Sequence, residues 1–369
     1  MKTLAIIGST GSIGETSLKV YKQHSEKFNL IYLCANTNIK KLSKQIKKYK
    51  PKNAFLLNKK NKKYFNKNIL VEKEYALRPS QRKIDYIISG VSGYDSLKLN
   101  LKLIKISKNL LIANKETIIC GGRFFLNYAK KHNCNIIPID SEHYCLNFFI
   151  NNFNLKDKID KIYLIASGGP FFRKKIRNNE NINNVINHPT WKMGQKISVD
   201  SSTFANKVLE LFEAKTLFNL DKSKIKILVE ERSNVHIIVK LKNNLYFPIM
   251  HKPNMAVAIA NSLNVSNYFD FKLENLNISI QKPNLKKFPI VKLGYKILIN
   301  YNSAGYLLFT VINQRLVELY LKNKIKYSEI AKILVKTFNK KNIIKYSKKN
   351  LTKLSDIDKL IKYGQKIIL

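Results

Sequence analysis

Apolar residues gather in short runs along the first third of the chain and lengthen into helical stripes toward its end. The runs at 4–8, 30–35, 54–57, 86–89, 110–113 and 135–139 read as buried strands. Between them, Lys-rich stretches at 39–49, 96–107 and 117–131 carry apolar residues at helical spacing. Strand–helix alternation predicts an α/β fold with a doubly wound parallel sheet over residues 1–140. Ligands of such sheets sit at the carboxyl ends of the strands. After residue 141 the pattern changes. Strands are expected at 162–166, 225–229 and 235–241, and helices at 144–151, 202–218 and 254–262. That mixture predicts a central α+β domain over 141–265. Within it, 168–194 is long, polar and free of strand pattern, as expected of a mobile lid. Residues 266–291, with Pro283 and Pro289, read as a linker. From 292 to 369 the spacing is helical, at 294–299, 304–322, 327–339 and 354–363, which predicts a small helical domain.

Charge changes this picture little. The chain of 369 residues has a formal net charge of +43, but only seven of its 67 basic residues are Arg. Arg, whose planar fork grips base edges and phosphates in pairs, is the side chain that sequence-reading nucleic-acid binders lean on. Lys spread evenly among Asn, Ile, Tyr and Phe reads as compositional drift of surface positions. No specific nucleic-acid partner is expected, although anionic substrates are favoured. Cys34, Cys120, Cys134 and Cys145 form no C-x-x-C pair and read as reduced packing residues of a cytoplasmic protein. Met1-Lys-Thr leads straight into a strand, so no signal peptide is expected, and no apolar run reaches the ~20 residues of a membrane span.

Four stretches carry chemistry. Gly8-Ser-Thr-Gly11-Ser-Ile-Gly14 follows the first strand and opens a helix. Gly8 permits the turn, Gly11 lets backbone approach a pyrophosphate, and Gly14 allows helix–strand contact, which makes the loop a nucleotide site of Rossmann-like type. After the second strand stands Asn36-Thr-Asn38-Ile-Lys40-Lys41, without the acid an NAD site carries, so NADP is expected. Asp140 and Glu142 follow the run 135–139 and, on strand geometry, point to the same side. Two hard oxygen ligands of this kind suit Mg2+ or Mn2+. Asn206 and Glu210 lie four apart on one helical face beside Lys207, a face that would serve a phosphate and a metal or simply be solvated. Asn114-Lys115-Glu116 sits at a strand end and equally fits a substrate contact or a solvated loop. His188-Pro-Thr-Trp191 holds the single Trp, as a lid element or as a buried packing residue.

Taken together, these motifs resemble the 1-deoxy-D-xylulose 5-phosphate reductoisomerase family. The resemblance rests on Gly8–Gly14, Ala113–Glu116, Pro138-Ile-Asp-Ser-Glu-His143, Ala166-Ser-Gly-Gly-Pro-Phe171 and the stretch 188–210, in order over about residues 1–265. It implies a metal held by Asp140, Glu142 and Glu210. It implies a sugar phosphate held by Lys115, Ser141, Glu142, Ser167, His188, Ser201, Asn206, Lys207 and Glu210. Among these, Lys115, Asp140, Glu142, His188 and Glu210 would carry catalysis. NADPH would lie against Thr10, Gly11, Ser12, Ile13, Asn38, Asn114, Glu116 and Gly194, and the enzyme would be a homodimer. Departures stand at Asn36-Thr37, where the family has Gly-Lys, at Val208 in place of Gly, at Glu230-Glu-Arg-Ser in place of His-Pro-Gln-Ser, and at Asn313-Gln in place of Asn-Glu. The implied reaction joins a skeletal rearrangement to a hydride transfer. A metal-free dehydrogenase would explain the glycine loop but not the three acids.

Overall fold

The computed structural model describes residues 1–57, 82–191, 193–266 and 276–368. Among these residues the chain divides into two units. The first comprises Met1–Asn114, Phe125–Tyr144 and Asn254–Phe269, and the second Lys115–Phe124, Cys145–Pro253 and Asp270–Leu369.

In the first unit the alternation predicted from the pattern is realised. The elements run in chain order β1 (Lys2–Ile7), α1 (Ser12–Gln23), β2 (Phe28–Ala35), α2 (Ile39–Tyr49), β3 (Asn53–Leu56), β4 (Ile84–Ser89), α3 (Leu97–Ile106), β5 (Ser107–Ile112), α4 (Lys115–Lys131, broken at Gly122), β6 (Asn135–Pro138) and α5 (Ser141–Phe153), of which Lys115–Phe124 of α4 and α5 from Cys145 onward belong to the second unit. The six strands form one sheet in the order β3-β2-β1-β4-β5-β6, and every pairing is parallel. The strand order reverses between β1 and β4, which leaves a crevice beyond the carboxyl end of β1, where such folds bind nucleotides. Lys-rich α2 holds its place through a narrow buried face. Leu42 and Gln45 are covered, Ile39, Ile46 and Tyr49 pack on the core, and Asn38 caps the first turn by accepting from the Lys41 amide at 3.1 Å.

The second unit continues with β7 (Ile159–Ala166), α6 (Ile182–Ile186), α7 (Gln195–Thr203), α8 (Ala205–Phe218), β8 (Ile225–Val229), β9 (Val235–Leu241) and β10 (Tyr246–Met250). Its sheet has the order β10-β9-β7-β8, with β7 and β8 parallel and the other pairs antiparallel. The sequence pattern gave no sign of β10, because Pro248 interrupts it. Proline is tolerated there because β10 lies at the sheet edge. The single helix expected at 202–218 is two helices. Phe204 breaks them with φ +64, in the left-handed region, and its buried ring sits 4.4 Å from the Phe288 ring. The packing of that ring offsets the strain of a non-glycine residue there. The loop 168–194, strand-free as expected, contains the short α6 and leads into α7.

Helix α9 (Met255–Ser262) returns to the first unit. The pattern placed it in the central domain. Its small apolar face instead closes the first core, where Ala256, Ile259, Ala260 and Leu263 lie with Leu4, Ile6, Leu18, Leu33, Ile88 and Leu111. Each fully buried Leu or Ile in this cluster contributes about 1.5–3 kcal/mol. Part of the expected linker, 267–275, lies outside the described residues, as does Lys192 in the loop. The described part is not bare linker, since Gln281 pairs with Val229 in an isolated antiparallel bridge.

The end of the chain forms α10 (Pro289–Asn300), α11 (Ser303–Leu321), α12 (Tyr327–Thr337), α13 (Lys341–Ser347) and α14 (Leu354–Lys366). Helix α11 is buried along nearly its whole length and packs on α12, α13 and α14. These helices group with the mixed sheet instead of standing apart as a separate domain. The departure at Val208 is accommodated here. A Cβ on Gly294 of α10 would lie 2.6 Å from the Val208 methyls, so the missing side chain on one helix makes room for the added one on the other.

The tightest backbone contact in the first unit is at Gly14, where a Cβ would meet the Gly8 carbonyl oxygen at 2.3 Å and the Ser9 Cα at 2.4 Å. Gly14→Ala is therefore expected to destabilise the protein by about 1–3 kcal/mol, the usual cost of overpacking. Urea unfolding of the purified variant measures this. A midpoint equal to the parent's would mean that the β1–α1 contact is not as tight as described.

Candidate functional site

Each unit carries a cluster of the predicted residues. In the first unit, Thr10, Gly11, Ser12 and Ile13 form the turn from β1 into α1, with Gly11 and Ser12 exposed. The Gly8 and Ser9 amides both donate to the Cys34 carbonyl at 2.8 Å, and the Gly11 amide donates to the Gly8 carbonyl at 3.0 Å. Buried Gln45 completes the clamp, accepting from the Ser9 hydroxyl at 2.8 Å and donating to the Ser9 carbonyl at 2.9 Å. Gly8 adopts φ +83, and a Cβ on it would lie 3.0 Å from the Gly90 carbonyl group. The turn is thus a rigid, exposed backbone at a helix N-terminus, which fits a pyrophosphate. Asn38 is exposed at the start of α2, where its side chain serves as the helix cap. Asn114 is buried and donates to the Val91 carbonyl at 2.7 Å and the Gly93 carbonyl at 3.0 Å, pinning the segment after β4 beside the end of β5.

The strand argument for Asp140 and Glu142 is overturned. β6 ends at Pro138, Asp140 immediately precedes α5, and Glu142 lies in its first turn. The Asp140 carbonyl accepts the Tyr144 amide at 2.7 Å, as the residue that opens a helix does. The two acids are gathered by a helix N-terminus, whose dipole favours negative charge, and not by the pleat of a strand. His143 Nδ1 lies 3.0 Å from Asp140 Oδ1, and the Ser141 hydroxyl donates to Glu142 Oε2 at 2.6 Å. Carboxylate oxygens oriented in this way are a hard donor set suited to Mg2+ or Mn2+.

In the second unit, Glu210 on α8 is 1% exposed, and two lysine ammonium groups hold it. Lys115 Nζ lies 3.2 Å from Oε1 and Lys207 Nζ 2.6 Å from Oε2. Asn206, one turn back on α8, donates to Glu210 Oε1 at 2.6 Å and accepts from Lys115 at 2.9 Å. Lys207 also donates to the Ile165 carbonyl at 2.9 Å, near the end of β7. The solvated-face reading of Asn206 and Glu210 is therefore excluded, because Lys207 and Glu210 are buried.

Ser167 and His188 are brought together, with Ser167 Oγ 2.9 Å from His188 Nε2. The other ring nitrogen, Nδ1, accepts from the Thr190 and Trp191 amides at 3.1 and 3.0 Å. Nδ1 is consequently unprotonated, and Nε2 carries the hydrogen that points at Ser167. Burial lowers the His188 pKa to about 4, which keeps the ring neutral at neutral pH. His188 is thus neither a surface side chain nor an imidazolium. Trp191 is half-buried, with its indole N–H donating to Ser233 Oγ at 3.2 Å. Between Ser167 and α7 the backbone turns through Gly168 and Gly169, at φ +82 and +66. A Cβ on Gly169 would lie 2.9 Å from the Ser201 carbonyl oxygen. Ser201 is half-buried on α7, and Gly194 is exposed as that helix's N-cap.

A second charged cluster escaped the sequence reading. Lys196 on α7 pairs with Glu116 at the start of α4 and with Asp200 one turn on, at 2.7 Å from Asp200 Oδ2. Asn313 on α11 donates to Asp200 Oδ1 at 2.7 Å. Burial opposes charge on Lys196, but Asp200 and Glu116 outweigh it and hold its pKa above the usual lysine range. Burial would likewise raise Glu116, but Lys196 beside it brings its pKa below the ordinary value. Burial prevails at Asp200, whose pKa is raised despite Lys196. The i, i+4 spacing of Lys196 and Asp200 was the one available hint of this cluster.

Three family models match the chain: 1-deoxy-D-xylulose 5-phosphate reductoisomerase over 4–122, its C-terminal domain over 136–218, and the DXP reductoisomerase C-terminal domain over 250–365. The 1-deoxy-D-xylulose 5-phosphate reductoisomerase of Pelagibacter ubique is 37% identical over 98% of this chain and 97% of its own. The Clostridium botulinum enzyme of the same name is 33% identical over 98% of each. A crystal structure of DOX-P reductoisomerase in complex with NADPH, fosmidomycin and magnesium superposes with TM-score 0.90 at 28% identity, over 100% of this chain and 97% of that one. Relatives alike along their whole length, together with a sheet order, glycine turn and buried Lys–Glu–Lys arrangement placed at the expected motifs, establish that this chain belongs to the 1-deoxy-D-xylulose 5-phosphate reductoisomerase family.

Proposed function

We propose that this chain converts 1-deoxy-D-xylulose 5-phosphate to 2-C-methyl-D-erythritol 4-phosphate, using NADPH and a divalent cation, in the non-mevalonate route to isoprenoid precursors. The observation that carries the reading is Glu210, a buried carboxylate held between Lys115 and Lys207 and braced by Asn206. A generic dehydrogenase does not need such an arrangement. An acid with a lysine on either side suits a site that handles a metal-bound sugar phosphate.

Asp140, Glu142 and Glu210 are the proposed ligands of the cation, Mg2+ or Mn2+. The bound cation supplies Lewis-acid polarisation of the substrate carbonyl, and NADPH supplies the hydride. Lys115, with its ammonium at Asn206 and Glu210, is placed to hold a substrate oxygen and to donate a proton to it. Glu142, which accepts from the Ser141 hydroxyl at 2.6 Å, is placed to receive the hydroxyl proton lost in the rearrangement. Ser167, Ser201, Asn206, Lys207 and the neutral His188 N–H are the phosphate donors, so that binding remote from the reacting carbons positions them. The tautomer of His188 makes it a hydrogen-bond donor in this role, not an acid. The loop 168–194 with Trp191 closes over the site and excludes water.

For the cofactor, Thr10, Gly11, Ser12 and Ile13 cradle the pyrophosphate, and Asn38, Asn114, Glu116 and Gly194 make further contacts. Lys41 pairs with Glu15 at 2.7 Å, whereas Lys40 is exposed in the first turn of α2. Lys40 is the better candidate for the 2′-phosphate that the absent Gly-Lys would otherwise meet.

The enzyme is proposed to be a homodimer. Edge strand β10 presents Tyr246 and the preceding Leu245, 57% and 55% exposed, and the ring of Phe247 packs with that of Phe153, itself 48% exposed. An unpaired strand edge beside apolar side chains suits pairing with a second copy. Among the described residues no helix is long and apolar enough to cross a membrane. Four buried, unbridged cysteines support a cytoplasmic setting.

Turnover is tested by following NADPH absorbance with 1-deoxy-D-xylulose 5-phosphate as substrate. Activity is expected with Mg2+ or Mn2+, to be lost on chelation and to return on adding metal back. Glu210→Gln and Asp140→Asn are each expected to lower kcat by at least about 100-fold with the fold retained, on the scale of losing a metal ligand or its support. Near-parental rates in both would discard the ligand assignment. A second expectation concerns acid stability. The pKa of His188 is depressed in the folded state, so unfolded chains bind its proton first as pH falls below about 6.5. Its contribution should destabilise the fold progressively from there to about pH 4, by on the order of 2–3 kcal/mol. Denaturant unfolding of parent and His188→Asn across that range should show a shallower decline in the variant. Parallel curves would mean that His188 is not held neutral.

A further inference from the structure

The motif residue Glu116 and the helix that carries Ser201 are joined by a single side chain. Lys196 reaches both acids of its cluster, Glu116 at the start of α4 and Asp200 on its own helix. Asp200 is next in sequence to Ser201, and Glu116 is next to Lys115. Asp200 is fully buried and is held from its other oxygen by buried Asn313 of α11. The chain of contacts therefore runs Glu116–Lys196–Asp200–Asn313, from the segment assigned to cofactor and substrate oxygen to the core of the C-terminal helices.

Two buried carboxyl groups and one partly covered ammonium meet here. A buried carboxylate without a partner is costly, so neither Glu116 nor Asp200 can move from Lys196 without losing its compensation. The ammonium thereby fixes the separation of the two acids. Glu116 is fixed relative to α7, and through the neighbouring residue Lys115 is fixed relative to α8, where it meets Asn206 and Glu210. Lys196 is not among the residues assigned to contact substrate, metal or NADPH.

We propose that Lys196 is a positioning residue: it sets Glu116 for NADPH and keeps the cofactor-holding start of α4 in register with the substrate-holding α7. The proposal rests on the functional reading above. A support of this kind acts through the groups it orients, and its loss should appear in cofactor affinity before it appears in chemistry.

The test measures NADPH binding to the metal-free protein by fluorescence titration, alongside steady-state kinetics and thermal unfolding, for the parent, Lys196→Gln and Lys196→Arg. Lys196→Gln is expected to weaken NADPH binding by about tenfold and to raise KM for NADPH in parallel, with a smaller change in kcat. Lys196→Arg, which keeps a cation between the two acids, should recover most of that loss. A Lys196→Gln protein that is less heat-stable but binds NADPH as the parent does would overturn the proposal and leave a purely structural ion pair. If Lys196→Gln does not fold, Lys196→Met replaces it, keeping an unbranched side chain without the charge, and unchanged NADPH affinity there overturns the proposal equally. Failure of the parent itself to bind NADPH or to turn over the sugar phosphate would instead defeat the functional reading.

Discussion

A charge can be buried only in company, and the second unit is organised around that constraint. Glu210 is inside because Lys115 and Lys207 are inside with it, and Asp200 is inside because partly covered Lys196 and buried Asn313 hold it. These contacts fix the geometry of five elements. The start of α4 is tied to α7 and to α8, α8 to the end of β7, and α7 to α11. Hydrophobic packing could tolerate small slips between these helices, whereas paired buried charges tolerate few.

The first unit meets a different demand by a different means. A pyrophosphate needs exposed amides held rigidly, and the β1–α1 turn supplies them by steric limits. Gly14 leaves no room for a side chain, Gly8 takes a left-handed conformation against the Gly90 backbone, and Gln45 ties down Ser9 from beneath. The turn stays open to solvent on its outer side while its inner side is fully bonded. Its rigidity comes from backbone contact in one place and from a buried amide in another.

The departures from the family pattern are absorbed locally. Val208 projects into the space that Gly294 vacates, on a helix that still carries the Asn206–Glu210 hydrogen bond. Glu230, standing where the family has His, caps its own turn by accepting from the Arg232 and Asn234 amides at 2.9 and 2.7 Å.

The linear pattern by itself determined the parallel sheet, the glycine turn and the family, because strand alternation and short motifs are local properties of the chain. Several features were decided only in three dimensions. Asp140 and Glu142 converge through a helix N-terminus, which no strand pattern predicts. α9 leaves its sequence neighbours because its Ala-rich face fits the first core, and α8 starts where Phe204 finds Phe288. Lys196 was one of 60 lysines in a chain rich in them. Its partners are 80 residues away at Glu116 and four away at Asp200. A solvated lysine and one that pairs buried acids are spelled alike, and only the folded environment, which must pair a charge before it can bury it, tells them apart.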